Sequence, residues 1–246
     1  VEGIGEAEAE DVVGIMICHV APTTRRRRTM APRILLYTRT TAYRHESIPD
    51  GIKAFTELGE HHGFAVEATE SPEAFEGRNL DRYAAVVFLS TSGDVLTDEG
   101  RTNLAAYHQG GGGFMGVHAA ACTEYDWPYY GTLLGARFAQ HPALQPGTVD
   151  VDDTGHPSTA NLPLRWTFTD EWYDFRTNPR PHVRVLATVD ERSYEGGRMP
   201  DDHPVVWCHD NGGGRVFYTA LGHTGESFRD PLFRSHLWGG LQSVME

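Results

Sequence analysis

From Arg33 onward, apolar positions recur in two alternating rhythms. Ile34 to Thr38 is a compact apolar run, followed by the polar stretch Arg39 to Ser47. Ile48, Ile52, Phe55 and Leu58 then return at helical spacing, up to Gly63. Phe64 to Thr69 alternates as a strand does, and Val86 to Leu89 is apolar throughout, ending at Ser90. Thr97 and Asp98 carry side chains suited to capping a helix over 98–109. Phe114 to Val117 predicts a fourth strand. Apolar strands alternating with helices predict a parallel sheet covered by helices on both faces.

The fourth strand sits in an unusual stretch. Four glycines, Gly110 to Gly113, precede it, and His118 with the run Ala119 to Ala121 follows it. Alanine is the best helix former, so a helix is predicted to begin at His118. A sharp strand-to-helix turn lifts its residue above the sheet edge, as in the nucleophile elbow of hydrolases. Here the raised group is an imidazole. The glycines are not a phosphate loop, because no Gly-Lys-Ser/Thr follows. They open no dinucleotide fingerprint either, because a strand comes next.

The second half is less regular. A short helix is predicted from Trp127 to Leu134. Strands are predicted at Thr148 to Val151, Leu164 to Phe168, Val183 to Val189 and Val205 to Trp207. Gly212 to Gly214 turn the chain into a strand at Arg215 to Ala220. A closing helix, Pro231 to Val244, turns Leu232, Phe233, Leu237 and Leu241 inward. There is no internal repeat.

Residues 1–29 read differently. Acidic residues precede the apolar run Val12 to Val20, and Arg25 to Arg28 follow it. That order reverses a secretory signal, and the run is too short to span a bilayer. The expectation is a disordered extension over 1–29 and one domain over 30–246. A formal charge of −13 argues against nonspecific nucleic-acid binding. Cys18, Cys122 and Cys208 show neither metal nor disulfide spacing, which fits a reducing cytoplasm.

In an open parallel sheet, ligands bind beyond the carboxyl ends of the strands. His45 follows the first strand, His118 ends the fourth, and His223 follows Arg215 to Ala220. If these strands run parallel, the three imidazoles share one rim. Asp170, Glu171 and Tyr173 follow an apolar segment, where a carboxylate among aromatics is desolvated and suited to acid–base work. The candidate catalytic residues are therefore His118, His45, Glu171 and His223. Ser47, Trp127, Trp172, Tyr173 and His141 are candidates for binding the substrate. Imidazoles with one carboxylate also suit zinc or another divalent ion, although no compact ligand motif marks such a site.

These residues carry a resemblance. Arg44-His45-Glu46-Ser47, Gly116-Val117-His118-Ala119-Ala120 and Asp126-Trp127-Pro128 match the ThuA-like family, named for trehalose utilisation. So do Thr169-Asp170-Glu171-Trp172-Tyr173 and His203-Pro204-Val205-Val206-Trp207. The longest match runs from Gly212 to Tyr218 and on through Leu221-Gly222-His223. The resemblance implies a flavodoxin-like three-layer sandwich similar to class I glutamine amidotransferases. It does not imply their chemistry, because His118 stands where those enzymes keep a thiol. It points to carbohydrate metabolism, with a disaccharide, glycoside or oxidised sugar as ligand. The alternative is a noncatalytic module that binds a sugar or a protein partner on the same fold.

Overall fold

A computed structural model describes residues 31–246, and the tail read as disordered lies outside the described residues. The strands are β1 (Arg33–Tyr37), β2 (Ala65–Thr69), β3 (Ala85–Leu89), β4 (Ser92–Gly93), β5 (Gly113–Val117), β6 (Cys122–Thr123) and β7 (Phe138–Gln140). They continue with β8 (Gln145–Val151), β9 (Arg165–Asp170), β10 (Asp174–Phe175), β11 (Arg184–Val189), β12 (Pro204–His209) and β13 (Val216–Thr219). The helices are α1 (Ile48–His62), α2 (Asp98–Gln109), α3 (Pro128–Leu134) and α4 (Pro231–Met245).

Nine strands form one sheet in the order β2-β1-β3-β5-β13-β12-β11-β8-β9. The first five are mutually parallel. The last four join by antiparallel pairing, so β11 and β9 again point the same way as the parallel set. The result is an α/β, flavodoxin-like sandwich with an antiparallel extension.

The patterning reflects this division. β1 (after Arg33), β3 and β5 are buried along their length, because helices cover both faces. α1 and α4 lie on one face, where Leu89 meets Gly51 and Gly113 meets Val244. α2 and α3 lie on the other, joined by His108 and Tyr129, and Tyr130 packs on Phe88 and Phe114. β9, by contrast, alternates exposed and buried, turning Trp166, Phe168 and Asp170 inward.

The helix ends follow their sequence signals. Thr97 Oγ1 accepts from the Gly100 amide, and Asp230 accepts from the amides of Leu232 and Phe233. One expectation fails. No α-helix starts at His118; residues His118–Ala121 make a single 3-10 turn, and Cys122–Thr123 then pair with Ser92–Gly93 as a small parallel sheet. His118 has φ of +50°, which no α-helical start tolerates. The Tyr218 hydroxyl binds the His118 carbonyl (2.9 Å), fixing that backbone against the alanine run's helical preference.

Candidate functional site

β1, β5 and β13 are parallel, so His45, His118 and His223 do leave the sheet at one rim. Each has its own anchor. The His45 loop is tied down where Ser92 Oγ donates to the Tyr43 carbonyl and the Thr41 amide donates to the Ser92 carbonyl. His118 sits at the end of a strand in which Gly116 is pressed between Leu134 and Tyr218, where a Cβ would stand 2.6 Å from Leu134. A left-handed non-glycine residue costs on the order of 1–2 kcal/mol. The His118 ring offsets that by donating from Nδ1 to the Ala220 carbonyl at 2.6 Å. His223 follows Gly222, whose φ of +121° a side chain would not tolerate.

The carboxylate comes from the far edge of the sheet. β9 curls over the face that carries α4, where Phe168 packs on Phe233 and Trp166 on His236. Its carboxyl end, pointing the same way as those of the parallel strands, is thereby drawn toward the rim histidines. Asp170, fully buried, accepts backbone N–H groups from Gly222 (2.7 Å), His223 (3.2 Å) and Glu171 (2.8 Å). This clamp holds the loop that delivers His223. Asp170 was not among the expected site residues. The signal available in the sequence was the β9 alternation, which turns Asp170 inward.

The four expected catalytic residues come together: donor atoms of His45, His118, Glu171 and His223 all lie within 4.8 Å of one another. His45 Nε2 is 3.2 Å from His118 Nε2. Glu171 Oε2 is 3.7 Å from His118 Nε2 and 3.0 Å from His223 Nδ1. The last pair is at ion-pair distance but lacks hydrogen-bond alignment, so among the described residues His223 Nδ1 has no hydrogen-bond partner. With Nδ1 committed to Ala220, a neutral His118 presents only one lone pair at Nε2. The Tyr173 hydroxyl donates to it at 2.9 Å, and His45 faces it too. An imidazole whose Nδ1–H is held by a carbonyl, with Nε2 aimed at its neighbours, is arranged as metal-ligating histidines are.

Charge is distributed unevenly. Burial, reinforced by His118 and His223, pushes His45 down to about 3, so it stays neutral. Burial also works against the charged form of Glu171, but the imidazoles of His118 and His223 outweigh it and hold the carboxyl well below the usual carboxylate range. For His223 burial acts downward, and Glu171 with Asp170 reverses the sign, leaving it raised. Burial raises Asp170 against the pull of His118 and the Gly222 and Glu171 amides.

The expected binding residues divide. Tyr173 reaches His118 through its hydroxyl, but its ring is buried between His118, His141 and Phe138, so it offers no open face. The His203 Nε2–H donates to the Tyr173 carbonyl (2.9 Å) and holds it there. His141 Nδ1 is 3.6 Å from Glu171 Oε1. Ser47 Oγ donates to the Gly222 carbonyl at 3.4 Å. Trp172 is a correction: it is 1% exposed, stacked against Gly147, with its indole N–H donated to the Gln145 carbonyl. β9 alternation turns Asp170 inward, and Trp172, two residues on, follows it into the core. Trp127 packs on Tyr129 and Tyr130 and opens α3, so its ring belongs to the helix packing and not to a sugar face. The aromatic at the mouth of the site is Tyr43, 65% exposed and edge-on to His45. Lying in a polar loop, it gave no periodic signal.

Cys122, one turn past His118, is half-buried, and burial pushes its thiol up to about 12. It is therefore not a ready thiolate. Among the described residues, no helix is long and apolar enough to cross a membrane.

The comparisons with known proteins agree with this architecture. A structure of a ThuA-like protein from Bacteroides uniformis superposes with a TM-score of 0.73 at 27% identity, covering 87% of this chain and 92% of that one. One from Parabacteroides merdae gives 0.67 at 22% identity, covering 88% and 92%. A β-galactosidase from Bacillus circulans sp. alkalophilus shares the fold alone, with a TM-score of 0.57 at 12% identity over 88% of this chain and 30% of that one. No match was found among curated proteins. The family model described as trehalose utilisation matches residues 33–243, so the chain belongs to the ThuA family, whose description suggests a role in carbohydrate metabolism.

Proposed function

We propose that the protein is a carbohydrate-metabolism enzyme that acts on a disaccharide, glycoside or oxidised sugar at the His45–His118–Glu171–His223 cluster, with a divalent transition metal held there. The observation that carries this reading is the convergence of three imidazoles and one carboxylate from separate strands onto a single point. Four donors at about 2.0–2.1 Å from a tetrahedral ion stand roughly 3.3 Å apart. The separations of 3.0, 3.2 and 3.7 Å bracket that value. Three nitrogens and one oxygen favour zinc, iron, cobalt, nickel or manganese over calcium or magnesium.

Such an ion would polarise a sugar oxygen as a Lewis acid. The protein's own groups supply the rest. Burial and the neighbouring charges hold the Tyr173 hydroxyl in its protonated form; a metal on His118 Nε2 would take the lone pair to which this hydroxyl now donates, freeing it to donate to a developing oxyanion. His141, exposed beside Glu171 with its Nδ1–H donated to the Pro142 carbonyl, forms the solvent side of the site. Asp170 and the Ala220 carbonyl fix the ring and loop geometry without touching the substrate.

Elemental analysis of protein purified without an affinity tag or added metal tests the reading. Near-stoichiometric transition metal, with turnover of a neutral disaccharide or its oxo derivative that a chelator abolishes, is the expected result. Metal-free protein with chelator-insensitive turnover would remove the metal. One feature favours the noncatalytic alternative: the cysteine near the turn is not activated as a nucleophile. Saturable sugar binding with no product from any tested sugar would establish that alternative.

A further inference from the structure

The recess beside the cluster points to the kind of sugar involved. A cavity of about 370 Å³ opens against His223 and is lined by Tyr43, Glu46, Asp50, Glu226 and Arg229. It lies at the low end of the usual size for small-ligand pockets, about 300–1,000 Å³. Its wall carries three carboxylates and one guanidinium. Arg229 is bound by Asp50 at 2.8 Å and Glu226 at 2.8 Å, so its charge is spent within the wall. Glu46, among the described residues, has no cation at ion-pair distance and lies exposed. The recess is therefore net negative.

Above it stands Tyr43. Among the described residues, the other strongly exposed large hydrophobics are Leu144 and Leu164, and Tyr43 is the aromatic one. Its ring is edge-on to His45, 4.8 Å between centroids, which places it at the junction of recess and cluster. An aromatic face supplies apolar contact to the C–H face of a pyranose, while carboxylate oxygens accept from its hydroxyls. Away from the ion, the carboxylates of this wall repel a phosphate or a second carboxylate held against them and leave a neutral polyol unopposed.

We propose that this recess is the subsite for an uncharged sugar ring, with Tyr43 as its stacking platform and the Glu46–Asp50 wall excluding phosphorylated sugars. The proposal rests on the carbohydrate reading above, but it concerns binding and does not require turnover.

Calorimetric titration of the metal-loaded full chain tests it with a fixed panel of probes: trehalose, maltose, sucrose and glucose, and the 6-phosphates of trehalose and glucose. At least one neutral sugar should bind ten times or more tightly than its phosphate. Tyr43→Ala should weaken that sugar at least tenfold, while Tyr43→Trp restores it and the metal content of both variants stays that of the wild type. Phosphates bound as tightly as neutral sugars, equal affinity in Tyr43→Ala, or no binding by any neutral sugar at millimolar concentration would each overturn the subsite. Sugar bound through Tyr43 without any turnover would instead sink the enzymatic reading and leave the subsite standing.

Discussion

The parallel and antiparallel halves of the sheet contribute to the site by different routes. β1, β5 and β13 lie within the parallel half, and each hands its histidine to the rim simply by ending there. β9 runs the same way as the parallel set, so its carboxyl end faces the same rim, but it lies four strands beyond β13 and approaches the histidines through the packing of Trp166 on His236 and Phe168 on Phe233 of α4. Connectivity alone gathers three imidazoles, whereas the single carboxylate depends on packing. The imidazole positions should therefore survive perturbations of the outer strands that the carboxylate does not.

The most severe test of that comparison is Glu171→Gln. It removes the one charged donor from the antiparallel half and leaves the three histidines untouched. Turnover should fall about a thousandfold, within the range seen when a group essential to proton transfer or metal binding is lost. Steady-state kinetics on the identified sugar measures this. Activity within a few-fold of wild type would mean that the histidines act without the outer edge.

The seam itself can be loosened by acid. His236, on α4, is fully buried against Trp166 of β9, and burial lowers it to about 4 from 6.5. Its Nδ1–H donates to the Ser158 carbonyl, as the neutral form does. A depressed folded-state value means that the neutral ring's contribution is fully present above pH 6.5. It is lost as pH falls through the window from 6.5 to about 4. At about 1.4 kcal/mol per unit, the loss amounts to roughly 3 kcal/mol. Thermal melts across this window should show a falling Tm that His236→Phe flattens, and hydrogen exchange should increase first in β8 and β9. A melt curve unchanged by His236→Phe would show that this seam does not set the acid limit.

Asp170→Asn probes the clamp between the halves. Asparagine keeps the shape but puts an NH2 where one carboxylate oxygen now accepts, facing the Gly222 amide or, flipped, those of His223 and Glu171. Because Asp170 acts through His223 and not on substrate, metal affinity should drop about 10–100-fold, as for other groups that orient ligands. A metal titration checks this. A merely structural role would instead lower Tm with no change in metal affinity.

Cys122→Ser should have the smallest effect. The thiol near the His118 turn is protonated and serves packing, so turnover should stay within about twofold. A large loss would return thiol chemistry to this fold position.

Legibility in the sequence follows the same division. The parallel half was readable because strands buried on both faces must be apolar throughout, and the helices between them keep a 3.6-residue rhythm. Those strand ends named His45, His118 and His223. The antiparallel half was harder, since β7 and β10 are too short to show a period. Glu171 was found by its aromatic neighbours, but the same neighbours misled the assignment of Trp172. Tandem aromatics cannot reveal from composition which ring faces solvent. Tyr43 went unnoticed because an exposed residue in a polar loop obeys no pattern.

The sequence by itself determined the α/β class, the order of the elements and the rim on which the histidines would lie, because burial dictates apolar patterning and parallel pairing fixes strand direction. Only the tertiary structure decided the turn at His118, where a left-handed backbone held by Tyr218 and Ala220 overrode the helix preference of three alanines. It alone also decided that β9 folds back to bring Glu171 within 3.0 Å of His223. Both outcomes depend on partners about a hundred and about fifty residues away, and local propensity carries no information about contacts at that range.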